Sequence, residues 1–181
     1  MLRVIRWAFL GLGLVAALAV VLLLSYYLPS ARKVHVVGIE VKRMDSDNPE
    51  GGTDRDVRFI YARDAETGRS LAYRNEDTGW SFPFFLKFNS GDLAAEAANI
   101  QESDPDATVL IKSYGWRFQF FDAYPNALSL RVVAPEYTHI PVFNIVVLAL
   151  VLGVFGALAF YTYKLYRRIA TWAEPEEEET A

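Results

Sequence analysis

Residues that could perform acid–base, nucleophilic or metal chemistry are scarce in this sequence. It contains two histidines, His35 and His139, and no cysteine. Histidine is the usual acid–base group near neutral pH, and cysteine is the usual thiolate nucleophile or zinc ligand. We therefore expect a protein that is not an enzyme, with no catalytic residue, no metal ligand and no cofactor.

One acidic loop, residues 45–51, offers the oxygen ligands that calcium prefers. It departs from the EF-hand pattern because Pro49 stands at position 5, Glu50 replaces the glycine of position 6, and Asp56 replaces the bidentate glutamate of position 12. We expect a solvated turn there. The acidic run at residues 174–179 is expected to be a solvated end, with a docking role as the alternative.

The most distinctive stretch, residues 74–80, places both signs of charge directly beside a tryptophan. A second aromatic block, residues 114–121, could lie against it in a sheet. Aromatic rings that supply contact area, with charged groups that orient a partner, are typical of a recognition surface. The alternative is that the rings fill the core and the charges form a network at a turn. The candidate recognition surface consists of Arg74, Asn75, Glu76, Asp77, Trp80, Trp116 and Arg117.

The elements that would position these residues are short strands and one helix. Runs rich in β-branched and aromatic residues, separated by turn signals, predict the strands, and a capped apolar stripe predicts the helix. The predicted strands cover residues 34–41, 56–63, 70–74, 108–121 (bent at Gly115) and 127–133, and the helix covers residues 91–101. Such a set makes a small α+β domain with a mainly antiparallel sheet.

Two uncharged runs, residues 7–28 and 140–163, flank this domain. As helices, both would be long enough to cross a hydrocarbon core of about 30 Å. Neither has the polar stripe of a helix on a soluble core. The predicted fold class is therefore a membrane protein with two transmembrane α-helices flanking the α+β domain. A cleaved signal peptide is the alternative for the first run, but the run is too long and lacks a cleavage site.

Basic residues at both ends indicate the orientation of the chain. Arg3 and Arg6 precede the first run, and Lys164, Arg167 and Arg168 follow the second, so both termini are expected in the cytoplasm. The predicted organisation is a cytoplasmic N-terminus (1–6), a first span (7–28), a periplasmic domain (29–139), a second span (140–163) and a cytoplasmic acidic tail (164–181).

Small residues recur at every fourth position in both runs, a spacing that lets helix backbones approach closely in a membrane. The predicted helix-packing residues are Gly13, Ala17, Ala149, Gly153 and Ala157. Neither run contains a charged residue, which argues against a channel or a transporter.

The strings at residues 55–59, 73–80, 87–88 and 114–117 resemble those of a known family. It is a family of uncharacterised proteobacterial inner-membrane proteins with two transmembrane helices, domain of unknown function number fifteen-twenty-three. The resemblance covers nearly the whole chain, and the string at 74–80 is its most specific part. It implies a bacterial inner (cytoplasmic) membrane location and brings no activity, cofactor or catalytic residue.

We therefore predict a non-enzymatic inner-membrane protein whose periplasmic domain binds a protein partner, as an accessory or assembly factor of an envelope or membrane complex. The expected partners are the lipid bilayer and a membrane or periplasmic protein, with no nucleic acid. The alternative is a periplasmic ligand-binding module for a glycan, peptidoglycan or lipid, with Trp80 and Trp116 as stacking platforms.

Overall fold

The computed structural model of the chain describes residues 2–44, 55–81, 83 and 85–173. The acidic loop at 45–51 and the acidic run at 174–179 lie outside these residues. Two compact units, Met1–His139 and Ile140–Ala181, divide the chain. The elements are α1 (Leu2–Tyr27), β1 (Ser30–Met44), β2 (Arg55–Asp64), β3 (Ser70–Asn75), α2 (Ser90–Ser103), β4 (Val109–Tyr114), β5 (Asn126–Val132) and α3 (Val142–Ala173).

The five strands form a closed barrel in the order β1-β2-β3-β5-β4. Strand β1 is long enough to pair with two neighbours: residues Ser30 to Val34 pair with β4, and Val34 to Met44 pair with β2. A shift of register between Val36 and Gly38 accompanies the change of neighbour, as expected where a strand bends around a barrel. All pairings are antiparallel except that of β3 with β5, which is parallel and consists of Arg74 opposite Asn126.

The predicted hairpin is present as β2 and β3, paired from Arg58–Asn75 to Arg63–Ser70. Its turn is closed by the carboxylate of Asp64, whose Oδ1 accepts hydrogen bonds from the backbone N–H groups of Glu66 (3.0 Å) and Thr67 (2.8 Å). Gly68 adopts a φ of 69°, a conformation that glycine adopts without steric cost.

Helix α2 completes the hydrophobic core. It buries Leu93, Ala97 and Ile100, the three residues that the helical period places on one side. They belong to one cluster with strand residues such as Ile60 and Ile111, both fully buried. The core is thus built from the inner faces of the strands and one side of α2.

The predicted single strand over residues 108–121 is interrupted. Strand β4 ends at Tyr114, because Gly115 takes a φ of 92° and donates its N–H to the carbonyl of Tyr26 at 2.9 Å. Beyond it, Phe118 and Ala123 exchange backbone hydrogen bonds of 3.0 and 3.1 Å and form a small separate turn.

The predicted fold class, with two transmembrane α-helices flanking the α+β domain, is wrong. Within the described residues, one helix, Val142–Leu165, is long and apolar enough to cross a membrane. The apolar part of α1, Gly11–Tyr27, is shorter, and its length of about 25 Å falls below the roughly 30 Å of a hydrocarbon core. The sheet also closes into a barrel, so the domain is a small α+β barrel with one candidate membrane helix after it.

The predicted helix-packing residues lie exposed on the two long helices, Gly13 and Ala17 on α1 and Ala149, Gly153 and Ala157 on α3. Their role in helix pairing stays a prediction.

Candidate functional site

The first part of the distinctive stretch forms a polar network at the end of β3. The ammonium group of Lys87 donates hydrogen bonds to Oδ1 of Asn75 at 2.6 Å and to the carbonyl of Glu76 at 3.2 Å. The amide of Asn75 in turn donates to the carbonyl of Ser90 at 2.8 Å. Burial lowers the pKa of Lys87 to about 8, although Asp77 and Glu76 act in the opposite direction.

Asp77 caps helix α2 from a distant part of the chain. Its Oδ1 accepts the backbone N–H of Ser90 at 2.8 Å, and its Oδ2 accepts the hydroxyl of Ser90 at 2.7 Å. The N-cap residue itself, Asn89, makes no side-chain capping hydrogen bond. A carboxylate at a helix N-terminus satisfies a free N–H group and interacts favourably with the helix dipole.

The parallel pairing of β3 with β5, a seam of one residue pair, is extended by the side chain of Asn126. Asn126 accepts the N–H of Glu76 and donates to the carbonyl of Glu76, both at 3.0 Å, so its amide imitates a backbone pair. Arg74 and Glu76 form an ion pair beside it. Asn75, Glu76 and Asp77 are therefore engaged by hydrogen bonds and an ion pair with other residues of the domain, as the interpretation of a charge network at a turn expects.

The two predicted tryptophan platforms belong to different aromatic clusters. Trp80 is 77% exposed and contacts the ring of Phe88, with 5.7 Å between centroids. Trp116 donates its indole N–H to the carbonyl of Ser25 at 3.2 Å and packs edge-on against Tyr26 at 5.3 Å.

Arg117 lies at a cleft in the barrel wall. Its guanidinium carbon is 3.9 Å from the centroid of the Tyr124 ring, and its Nη1 donates to the carbonyl of Ala123 at 2.9 Å. The cleft has a volume of about 570 Å³, within the range of roughly 300–1,000 Å³ that is common for binding sites. Its walls come from the start of β1, the second half of β2 with the turn after it, the first four residues of β3, and the segment from the end of β4 to β5.

Positive charge dominates the cleft, which is lined by three arginines, Arg32, Arg69 and Arg117, and one carboxylate, Asp64. Hydrogen bonds from Thr67 and Glu66 and the nearby charge of Arg32, 3.5 Å away, hold the pKa of Asp64 below its ordinary value. That carboxylate is therefore ionised and already engaged by the protein, so its charge is largely compensated.

Polar and aromatic side chains complete the cleft. Burial raises the pKa of Tyr73 to about 12, so its hydroxyl stays neutral at physiological pH and can donate or accept a hydrogen bond. Tyr61 and Tyr124 add aromatic surface. This combination can bind a negatively charged partner that also carries apolar groups.

The cleft exists because β3 and β5 separate directly below their one pair. Pro125 still accepts the N–H of Arg74 at 2.9 Å, but the residues before it turn away, since Ala123 pairs with Phe118. Of the predicted recognition residues, Arg117 lines the cleft. The sequence contains no local signal for Arg32, Arg69 or Tyr73 as site residues, because the pairing of β1 with β2 and of β2 with β3 brings them together.

Neither histidine lies in the cleft. Nδ1 of His35 is 3.1 Å from the carbonyl of Ala107, and burial together with Lys112 and Arg131 lowers the pKa of His139. In the part of the chain that the structure describes, no group of three or more His, Asp or Glu side chains could hold a metal ion.

Comparison with known proteins confirms the family resemblance. The family model described as "Protein of unknown function (DUF1523)" matches residues 5–167. A protein of Haemophilus influenzae, named "Uncharacterized protein", is 40% identical over 120 residues, which cover 63% of this chain and 67% of that protein. No solved structure matches the chain. With nearly its whole length matched, the chain belongs to the DUF1523 family.

Proposed function

We propose that this protein is a non-enzymatic, membrane-attached binding protein whose barrel recognises a partner protein through the arginine-lined cleft. The observation that carries the proposal is the placement of three arginines around a 570 Å³ opening in an otherwise closed barrel. A role as an accessory or assembly factor of an envelope complex is consistent with such a site.

The bacterial inner membrane is the proposed location. The helix Val142–Leu165 is long and apolar enough to cross a membrane, which supports this location. Lys164, Arg167 and Arg168 at its end favour a cytoplasmic position for the residues that follow. The barrel, which precedes the helix in the chain, is then periplasmic.

A protein partner is favoured over a glycan because the aromatic rings do not form a shared stacking surface. Trp80 packs against Phe88 and Trp116 packs against Tyr26, so the two tryptophans belong to separate aromatic clusters. The cleft, by contrast, combines charge, aromatic walls and strand backbone, which are the elements of peptide recognition.

Site-specific photocrosslinking in intact native cells tests the proposal. A photoreactive phenylalanine analogue replaces Gln119, which is exposed and lines the cleft, or Glu96, which is exposed on α2 as a matched control. We expect one protein, identified by mass spectrometry, to be captured from position 119 and not from position 96. Absence of a crosslink from position 119, or equal capture from both positions, would contradict the proposal.

A further inference from the structure

One edge of the barrel wall offers backbone groups to the cleft. The carbonyl of Arg69 accepts a hydrogen bond from Asp64 on the β2 side, whereas the N–H of Arg74 donates to Pro125 on the opposite side. Because successive residues of a strand direct their backbone groups to alternate sides, Ser70 and Ala72 face the same side as Arg74. Both residues line the cleft.

These backbone groups have no strand beside them. Among the described residues, the pairing of β3 with β5 is limited to Arg74 and Asn126, and no backbone hydrogen bond on that side involves Ser70 or Ala72. A parallel continuation of the seam would place residues 122–124 there. That segment is instead held away by the Phe118–Ala123 pair and by the hydrogen bond from Arg117 to the carbonyl of Ala123.

We propose that the cleft accepts an extended, acidic segment of the partner protein as an added β-strand along Ser70–Tyr73. This inference rests on the proposed function and names the mode of recognition at the same site. An added strand would lie about 4.8 Å from β3 and satisfy the free backbone groups of Ser70 and Ala72. The four residues of this edge match a segment of about four residues, because each residue advances a strand by about 3.3 Å.

The charges around the edge specify the side chains of the segment. Arg69 stands at one end of the edge, Arg32 lies on β1, and Arg117 lies on the opposite wall. The carboxylate Asp64 is engaged by the turn and by Arg32. Guanidinium groups bind carboxylates with both charge and paired hydrogen bonds, so Asp and Glu side chains on the added strand are favoured over Lys and Arg.

The defined probe is a fluorescent, end-blocked eight-residue peptide of alternating threonine and glutamate, whose binding to the full chain in detergent is measured by anisotropy. One comparison peptide replaces glutamate with lysine. Two others carry N-methyl groups on every second residue, one at the odd-numbered positions and one at the even-numbered positions. N-methylation removes backbone donors and leaves the side chains unchanged, so it separates strand addition from charge attraction.

The matched protein variants are Ala72→Pro and Ala72→Thr. Proline removes the outward N–H at a position where an edge strand tolerates it, whereas threonine keeps the N–H group. We expect the Thr-Glu peptide to bind and the lysine peptide not to bind. One of the two N-methylated peptides and the Ala72→Pro variant should weaken binding about tenfold, and Ala72→Thr should weaken it less than Ala72→Pro does. The thermal midpoint of each variant is measured in parallel.

Equal binding of the methylated and unmethylated peptides, or no binding of the acidic peptide, would overturn strand addition. The photocrosslink from position 119 separates this failure from that of the proposed function. If Ala72→Pro and Ala72→Thr crosslink the same partner equally, the partner uses the cleft without adding a strand. If the protein with the natural Ala72 yields no crosslink from position 119, the proposed function itself fails.

Discussion

The ammonium group of Lys87 lies 2.6 Å from Oδ1 of Asn75, and both side chains are buried at the end of the barrel. A buried charge is stabilised by hydrogen bonds to polar neighbours, and here Oδ1 of Asn75 and the carbonyl of Glu76 accept them from Lys87. The amide of Asn75 also joins this charge to the first residue of α2, Ser90. The network therefore connects β3, the loop after it and the helix.

Replacement of Asn75 tests this network. Asn75→Ala removes a hydrogen bond to a charged group and leaves the carbonyl of Ser90 without its donor, so we expect a loss of about 2–3 kcal/mol in the free energy of unfolding. Denaturant unfolding of the full chain in detergent measures the loss. The matched control is Asn99→Ala on the exposed side of α2, for which we expect a change within about 0.5 kcal/mol. Equal effects would contradict a structural role for Asn75.

The lowered pKa of Lys87 predicts a dependence of stability on pH. Lys87 titrates near pH 8 in the folded protein and near 10.5, its ordinary value, in the unfolded chain. Between these values the unfolded chain binds more protons, so the free energy of unfolding rises with pH. Tyr73 acts in the opposite direction above about pH 10, because its pKa is raised to about 12 in the folded protein.

The window for this measurement is therefore pH 8 to 10. We expect the melting temperature of the wild type to rise relative to that of the Lys87→Met variant across this window, because methionine fills similar space without a titrating group. A difference between the two proteins that stays constant with pH would contradict a lowered pKa of Lys87 in the folded protein.

The capping role of Asp77 predicts that two variants lose stability to different extents. Asp77→Ala removes both oxygen atoms that accept hydrogen bonds from Ser90, and we expect it to lower the free energy of unfolding by about 1–2 kcal/mol. Asp77→Asn keeps one acceptor oxygen and should cost less. Hydrogen exchange at the start of α2 reports the effect locally, with Asp106→Ala, at an exposed position after the helix, as the control. Equal protection of α2 in Asp77→Ala and wild type would contradict the cap.

The backbone at Gly115 predicts that two glycines respond very differently to replacement by alanine. Gly115 has a φ of 92°, so Gly115→Ala strains the backbone, and we expect it to lower the free energy of unfolding by about 1–3 kcal/mol. Gly91, in the first turn of α2, has open space around it, and Gly91→Ala should be neutral or stabilise the protein by up to about 1 kcal/mol. Thermal unfolding of both variants measures the difference, and an equal response would contradict the strained turn after β4.

Local patterns predicted much of the barrel. The β2–β3 hairpin follows from two strand-forming runs around a turn that ends in Gly68, and the buried side of α2 follows from the spacing of Leu93, Ala97 and Ile100. The closure of the barrel could not be predicted in this way. It depends on β1 pairing with two strands and on the Arg74–Asn126 contact between β3 and β5, which no local signal encodes.

The candidate site was predicted only in part for the same reason. The stretch at 74–80 is distinctive in sequence, yet Asn75, Glu76 and Asp77 are engaged in the network and the helix cap. The cleft collects Arg32, Arg69 and Arg117 from separate segments of the chain. The first predicted transmembrane helix, residues 7–28, was inferred from an uncharged run, and the described apolar part of α1 is shorter than the roughly 20 residues that a span usually needs.

Charge reversal at the cleft tests the central claim, partner binding through its arginines, most directly. The yield of the crosslink from position 119 is measured in Arg69→Glu and in Arg58→Glu, a matched exposed arginine on β2 that does not line the cleft. We expect Arg69→Glu to abolish the crosslink, because it places a negative charge where an acidic partner binds, and Arg58→Glu to leave the yield unchanged. An unchanged yield in Arg69→Glu, or an equal loss in both variants, would contradict partner binding through the cleft.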